Sequence, residues 1–235
     1  MLIFKPFGPQ ALLVEWEQRI ALDVHGAVME LYQKVAIQNI VGVLYQIPAY
    51  CSLTIGFNPE LIAYQALLEQ IAYLDRFPLA IGNIPTRQLS IPVCYESSFA
   101  LDMPLVEAQT KLDRATIVRI HTSTAFRVYM LGFLPGFPYL GVLPEELKCD
   151  RRSTPSLKIP AQSVGLAGLQ TGIYPSDAPG GWLIIGRTPF VTFNPNADDP
   201  FLFKVGDSVR FYSISVEEFE QETSKISPSA FNNSK

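Results

Sequence analysis

Along the first 75 residues, hydrophobic positions alternate over short runs and then recur at three- and four-residue steps, the periods of strands and helices respectively. Residues 11–16 (ALLVEW) are predicted to form a strand. Asp23 is placed to cap a helix carrying Val24, Val28, Leu31 and Val35 on one face, with His25 inside it as a structural residue. Short apolar segments follow at 40–44 and 51–57. In the second of these Leu53, Ile55 and Phe57 alternate, as one buried strand face requires. Asn58-Pro59-Glu60 then has the form of an N-cap with proline at the first helical position. It predicts a helix to about Asp75 with Leu61, Tyr64, Leu68 and Ile71 on one face.

The helical period stops between Phe77 and Thr86, where two prolines and Gly82 accumulate, and a domain boundary is expected near 80–87. Two short helices, at about 102–112 and 115–121, precede a change to β patterning. Residues 124–131 set Phe126, Val128 and Met130 against Arg127, Tyr129 and Leu131. Short runs at 163–170, 182–187, 190–193 and 208–212 follow between turn residues. The expected architecture is α+β: a small N-terminal α/β domain (1–84), a domain of short strands forming a barrel or a sandwich (85–220) and a polar tail (221–235). Segment 132–189 holds nine of the 15 glycines and eight of the 19 prolines, which marks it as a loop-built face where a site is expected.

Composition narrows the function. Apolar residues make up 48% of the 235 and charged residues 17%, with a net charge of −4. The charge-poor surface suits a partner interface, and the acidic balance argues against nucleic acid. No apolar run reaches the length of a membrane span, and the N-terminus lacks the form of a signal peptide. Cys51, Cys94 and Cys149 are scattered and odd in number, which fits reduced thiols in the cytoplasm. His25 and His121, the two histidines, do not lie at metal-ligand spacing.

Several residues are candidates for chemistry. Residues 131–140 (LGFLPGFPYL) hold three aromatic rings on a loop stiffened by proline, which reads as a buried turn or an aromatic binding wall. Between Lys158 and Arg187 the only charged residue is Asp177, so the two cations are candidates to hold a carboxylate together, with Gln170 and Tyr174 nearby. Arg127 joins them as a substrate-binding candidate. His121, at a helix end, is a candidate acid or base or a C-terminal cap. Ala161-Gln162-Ser163-Val164-Gly165 misses the nucleophile elbow by its first glycine. Neither a phosphate-binding loop nor an acidic cluster for Mg²⁺ is visible in the glycine-rich region.

Three stretches together resemble one family: 121–140, with His121-Thr122-Ser123, Arg127 to Phe133 and Pro135 to Leu140; Pro160 to Pro175; and Pro179-Gly180-Gly181-Trp182 through Gly186-Arg187-Thr188-Pro189. The family comprises bacterial 5-oxoprolinase B subunits, KipI-type sensor-kinase inhibitors and allophanate hydrolase subunit 1. Gln162 departs from it where glycine is usual, and Ser156 where a basic residue is common. The resemblance implies a cyclophilin-like barrel and ATP-dependent opening of the 5-oxoproline lactam. It also implies homologous C and A subunits as partners, with ATP and Mg²⁺ used by the assembled complex and none held tightly by this chain. Its alternatives are inhibition of a sensor histidine kinase and an allophanate hydrolase or urea-carboxylase-like role.

Overall fold

The computed structural model describes residues 2–76 and 86–225. The chain divides into two compact units, 1–85 and 86–235, and the expected boundary lies largely on 77–85, outside the described residues.

In the first unit, strands β1 (Ile3–Pro6) and β2 (Ala11–Glu15) are followed by helix α1 (Leu22–Gln38). Strands β3 (Val43–Pro48) and β4 (Ser52–Phe57) and helix α2 (Tyr64–Asp75) complete it. The sheet is antiparallel in the order β1-β2-β4-β3. Leu12 and Val14 of β2 and Leu53, Ile55 and Phe57 of β4 form one core with Val28, Leu31 and Val35 of α1 and Leu67 and Ile71 of α2. The alternation at 53–57 thus faces the helices as expected.

Both helix starts differ from expectation. Asp23 lies in the first turn of α1, paired with Arg19, and the N-cap position falls on Ala21. Asn58 closes a separate turn: its Oδ1 accepts from the Glu60 amide (3.0 Å), and its carbonyl accepts from Leu61 and Ile62. The chain then extends at Ala63 before α2 begins. That offset buries Ile62, Leu67 and Ile71, while Leu61 is left 62% exposed.

The second unit opens with β5 (Gln88–Val93), α3 (Met103–Thr110) and α4 (Arg114–Ser123). Strands β6 (Ala125–Leu131), β7 (Pro138–Gly141), β8 (Ser156–Ile159), β9 (Ser163–Ala167), β10 (Gln170–Ile173), β11 (Ala178–Gly180), β12 (Leu183–Arg187) and β13 (Ser208–Ser213) follow, then α5 (Val216–Lys225). Seven strands form a sheet in the order β12-β9-β10-β7-β6-β13-β5, and β8 and β11 make a separate ribbon. The sheet curls until its two ends meet. Cys94, just past β5, donates to the Arg187 carbonyl (2.8 Å), and Arg187 donates back to Cys94 (3.0 Å). A Cβ at Gly186 would stand 2.8 Å from the Cys94 carbonyl oxygen, so only glycine lets the backbones close this seam.

Phe126, Val128, Leu140, Val164, Leu166, Ile173, Leu183, Ile185, Val209 and Phe211 fill the interior, with Met103, Val106 and Ile117 of the helices packed against them. The expected strand at 190–193 is reduced to a single bridge between Phe193 and Phe201. The expected tail is helical to Lys225. Ser215 and Glu218 cap α5 reciprocally, each side chain accepting the other's amide, and Phe219 lies 4.5 Å from the Phe99 ring.

Candidate functional site

The loop from β6 to β7 and the β8–β11 ribbon enclose a cleft of about 240 Å³. Phe133, Phe137, Tyr139, Tyr174 and Trp182 line it, with Pro155, Pro179, Gly180 and Gly181, and Arg151 is the one charged residue in the lining. Residues 131–140 therefore supply an aromatic wall. Phe137 is its centre: Phe133, Tyr139, Tyr174 and Trp182 all meet it edge-on, with ring centroids 4.9–5.8 Å away. Phe133 stands at the rim, 60% exposed, with a positive φ of 70°. Such a conformation costs a non-glycine residue about 1–3 kcal/mol, and strain of this kind clusters at sites that hold ligands.

Tyr174 follows β10, and its hydroxyl reaches across to the ribbon. A Cβ at Gly180 would overlap that hydroxyl, so glycine lets the ribbon close on it. Burial pushes the Tyr174 phenol up to about 12, against smaller opposing effects of the Trp182 amide and the Arg151 charge. Burial also raises the Tyr139 phenol, again opposed by Arg151. Both phenols are therefore neutral hydrogen-bonding groups near pH 7.

Arg151 sits on the loop between β7 and β8. The next residue, Arg152, anchors that loop. Its amide donates to the Gly181 carbonyl (2.8 Å), and its guanidinium pairs with Asp102, which is 2% exposed. Asp102 in turn accepts from the Ile184 amide (2.8 Å). The loop that presents Arg151 is thus tied to the barrel through a buried carboxylate.

Of the sequence candidates, Tyr174 lines the cleft, and Lys158, Arg187, Gln170 and Arg127 are absent from its lining. Lys158 and Arg187 belong to one bonded cluster beside the ribbon. Lys158 pairs with Asp177 (2.8 Å), Asp177 accepts from the Ala161 amide (2.8 Å), and the Ala161 carbonyl accepts from Arg187 Nε (2.8 Å). Lys158, then the Ala161 amide, with Arg187 contributing least, hold the Asp177 carboxyl below its usual range. The carboxylate at these cations is therefore the chain's own. Gln170 opens β10 opposite Gly141. Arg127 is half-buried on β6, and desolvation lowers its pKa.

His121 is fully buried in the barrel core, stacked on Phe211 at 4.5 Å. Thr171 donates its hydroxyl proton to the Gly165 carbonyl (3.1 Å), so it accepts from His121 Nε2 (3.1 Å), and Nδ1 accepts from the Tyr95 hydroxyl (2.8 Å). This is a neutral, fully bonded imidazole, and burial lowers its pKa to about 3. Both nitrogens are engaged away from solvent, which leaves no proton position for a substrate. The expected capping of α4 by a charged ring fails for the same reason, because the core excludes the charge. Ser163 is buried in β9, away from that imidazole's bonds.

Gln162 has a positive φ of 63°, the backbone state that favours glycine, which accounts physically for the usual family residue there. Its amide donates to the Tyr174 carbonyl (2.6 Å), and its side-chain oxygen accepts from Arg187 (3.3 Å). Ser156, the second departure, caps its own strand by accepting from the Lys158 amide (3.3 Å).

Arg151 and Trp182 were not among the site candidates of the sequence, although Trp182 lies in one of the family-like stretches. The available signal was the Arg151-Arg152 pair, which ends the charged run that starts at Glu145 and comes just before Pro155. Among the described residues, no three His, Cys, Asp or Glu side chains converge, and no helix is long and apolar enough to cross a membrane.

The model for the carboxyltransferase domain, subdomains C and D, matches residues 2–203. The 5-oxoprolinase B subunit of Bacillus subtilis (strain 168) is 34% identical over 222 residues, 90% of this chain and 92% of that protein. The 5-oxoprolinase B subunit of Escherichia coli O157:H7 is 37% identical over 205 residues, covering 87% and 92% respectively. The crystal structure of TTHA0988 superposes with a TM-score of 0.77 at 29% identity over 88% of this chain. That is 40% of its own, so this chain spans less than half of that longer polypeptide.

Proposed function

The chain belongs to the family of 5-oxoprolinase B subunits, built on carboxyltransferase subdomains C and D, and from that premise we propose that it is one subunit of an ATP-dependent 5-oxoprolinase. The observation that carries this reading is the match to proteins of that name across about nine-tenths of both chains. The complex opens the lactam of 5-oxoproline to glutamate. A phosphoryl group passes from ATP to the amide oxygen and opens the ring carbon to water; the C–N bond breaks as the nitrogen takes up a proton, leaving an acyl phosphate, which a second water hydrolyses to glutamate and phosphate. The partners are a homologous C subunit and an A subunit. They supply the nucleotide and Mg²⁺ chemistry for which this sequence offers no phosphate-binding loop, while this chain contributes the aromatic cleft. Its three free thiols, two of them buried, suit a cytoplasmic setting.

Release of glutamate and phosphate from 5-oxoproline and ATP tests the reading, with the chain alone, with A and C subunits alone, and with all three. The expected result is turnover by the three together and none by this chain. Undiminished turnover by A and C without it overturns the subunit role, and turnover by this chain alone overturns the shared site. Failure to bind a C subunit, with inhibition of a sensor histidine kinase instead, moves the function to the inhibitor branch.

A further inference from the structure

We propose that the aromatic cleft binds a small ring-bearing carboxylate, with Arg151 as the partner of the carboxylate and the Phe137-centred wall against the ring. The assignment of this site rests on its geometry, and the choice of 5-oxoproline as first probe rests on the reading above.

Size sets the class. At about 240 Å³ the cleft falls below the roughly 300 Å³ from which sites for drug-sized ligands begin, so it suits a metabolite of one ring. Its aromatic walls offer flat apolar surface, and ring faces pack on such surface more closely than extended chains do. Charge sets the polar end. Arg151 is the single charged group in the lining, and it closes no ion pair among the described residues. Its neighbour Arg152 and nearby Lys158 are both committed to carboxylates of the chain. A guanidinium left open beside two neutral phenols matches a planar carboxylate in two parallel hydrogen bonds, with Tyr139 and Tyr174 beside it.

The cleft is also held in shape before any ligand arrives. Arg152 fixes the Arg151 loop to buried Asp102 and to the Gly181 carbonyl. The Tyr174 ring is held edge-on against Phe137 and Phe133, and Phe133 is kept at the mouth in a strained backbone state. Holding such groups in advance lowers the ordering cost of binding. Arg152 and Asp102 are positioning residues in this scheme.

Trp182 reports on its own cleft once Trp16, the other tryptophan, is replaced by Phe. In the full chain carrying that change, emission is titrated with 5-oxoproline, benzoate and uncharged 2-pyrrolidinone, with and without the partner subunits. Saturable quenching by 5-oxoproline is expected, with pyrrolidinone at least about tenfold weaker. Arg151→Gln should weaken 5-oxoproline by about tenfold or more and leave pyrrolidinone unchanged, since a bond to a charged group is lost. Arg151 is exposed, so folding is unaffected by this change. Arg151-dependent binding of benzoate without 5-oxoproline sustains the site and removes the oxoprolinase reading. Equal 5-oxoproline affinity in R151Q, or no saturable response to any probe in either setting, overturns the site itself.

Discussion

Arg152 and Asp102, 50 residues apart in sequence, meet as an ion pair that ties the loop carrying Arg151 to β12. Asp102 is 2% exposed, so its charge depends on Arg152 and the Ile184 amide for compensation. Removing one partner of a buried pair leaves the other uncompensated, at a cost of about 3–5 kcal/mol. Arg152 is one-third exposed, and water reaching its guanidinium moves the expected value to the lower end. Arg152→Ala should destabilise the chain by about 3 kcal/mol in urea unfolding and loosen the cleft, read as altered Trp182 emission. Unchanged stability and emission would show that the pair anchors nothing.

His121 makes stability depend on pH. Its folded pKa of about 3 lies below the ordinary 6.5, so between these values the unfolded chain binds the proton and the folded chain does not. The stabilisation is therefore complete above pH 6.5 and is lost as pH falls toward 3, by about 1.4 kcal/mol per unit. Between pH 6.5 and 5, above the usual carboxylate range, the parent should lose stability while His121→Gln shows a flatter profile. Denaturant midpoints across that interval measure the difference, and identical slopes would mean the imidazole charges freely in the folded state.

Gln162 occupies a glycine-type backbone state braced by Arg187. Gln162→Gly removes the left-handed penalty of about 1–2 kcal/mol but raises unfolded-chain entropy by a comparable amount and loses a long hydrogen bond. Its stability should stay within about 1 kcal/mol of the parent. Gln162→Val keeps φ positive on a β-branched residue and should cost about 2 kcal/mol or more. Thermal melts of both variants decide this, and a harmless Q162V would contradict the geometry.

Local pattern was enough for much of the fold. Leu53, Ile55 and Phe57 declared the buried face of their strand, because side chains of a strand alternate whatever surrounds them. The density of glycine and proline between 132 and 189 likewise marked the loops that line the cleft. Roles set by long-range contact were not legible. Arg151 and Arg152 are the same residue type side by side, and only Asp102, brought up from α3's start, commits one and leaves the other open. Lys158 and Arg187 read as an open pair of cations until folding set Asp177 beside them. His121 read as a proton carrier, yet its charge is decided by the Phe126, Phe211 and Tyr95 rings that the barrel folds around it. Protonation and pairing follow the dielectric and the partners at a point in space, and those exist only once the chain has closed.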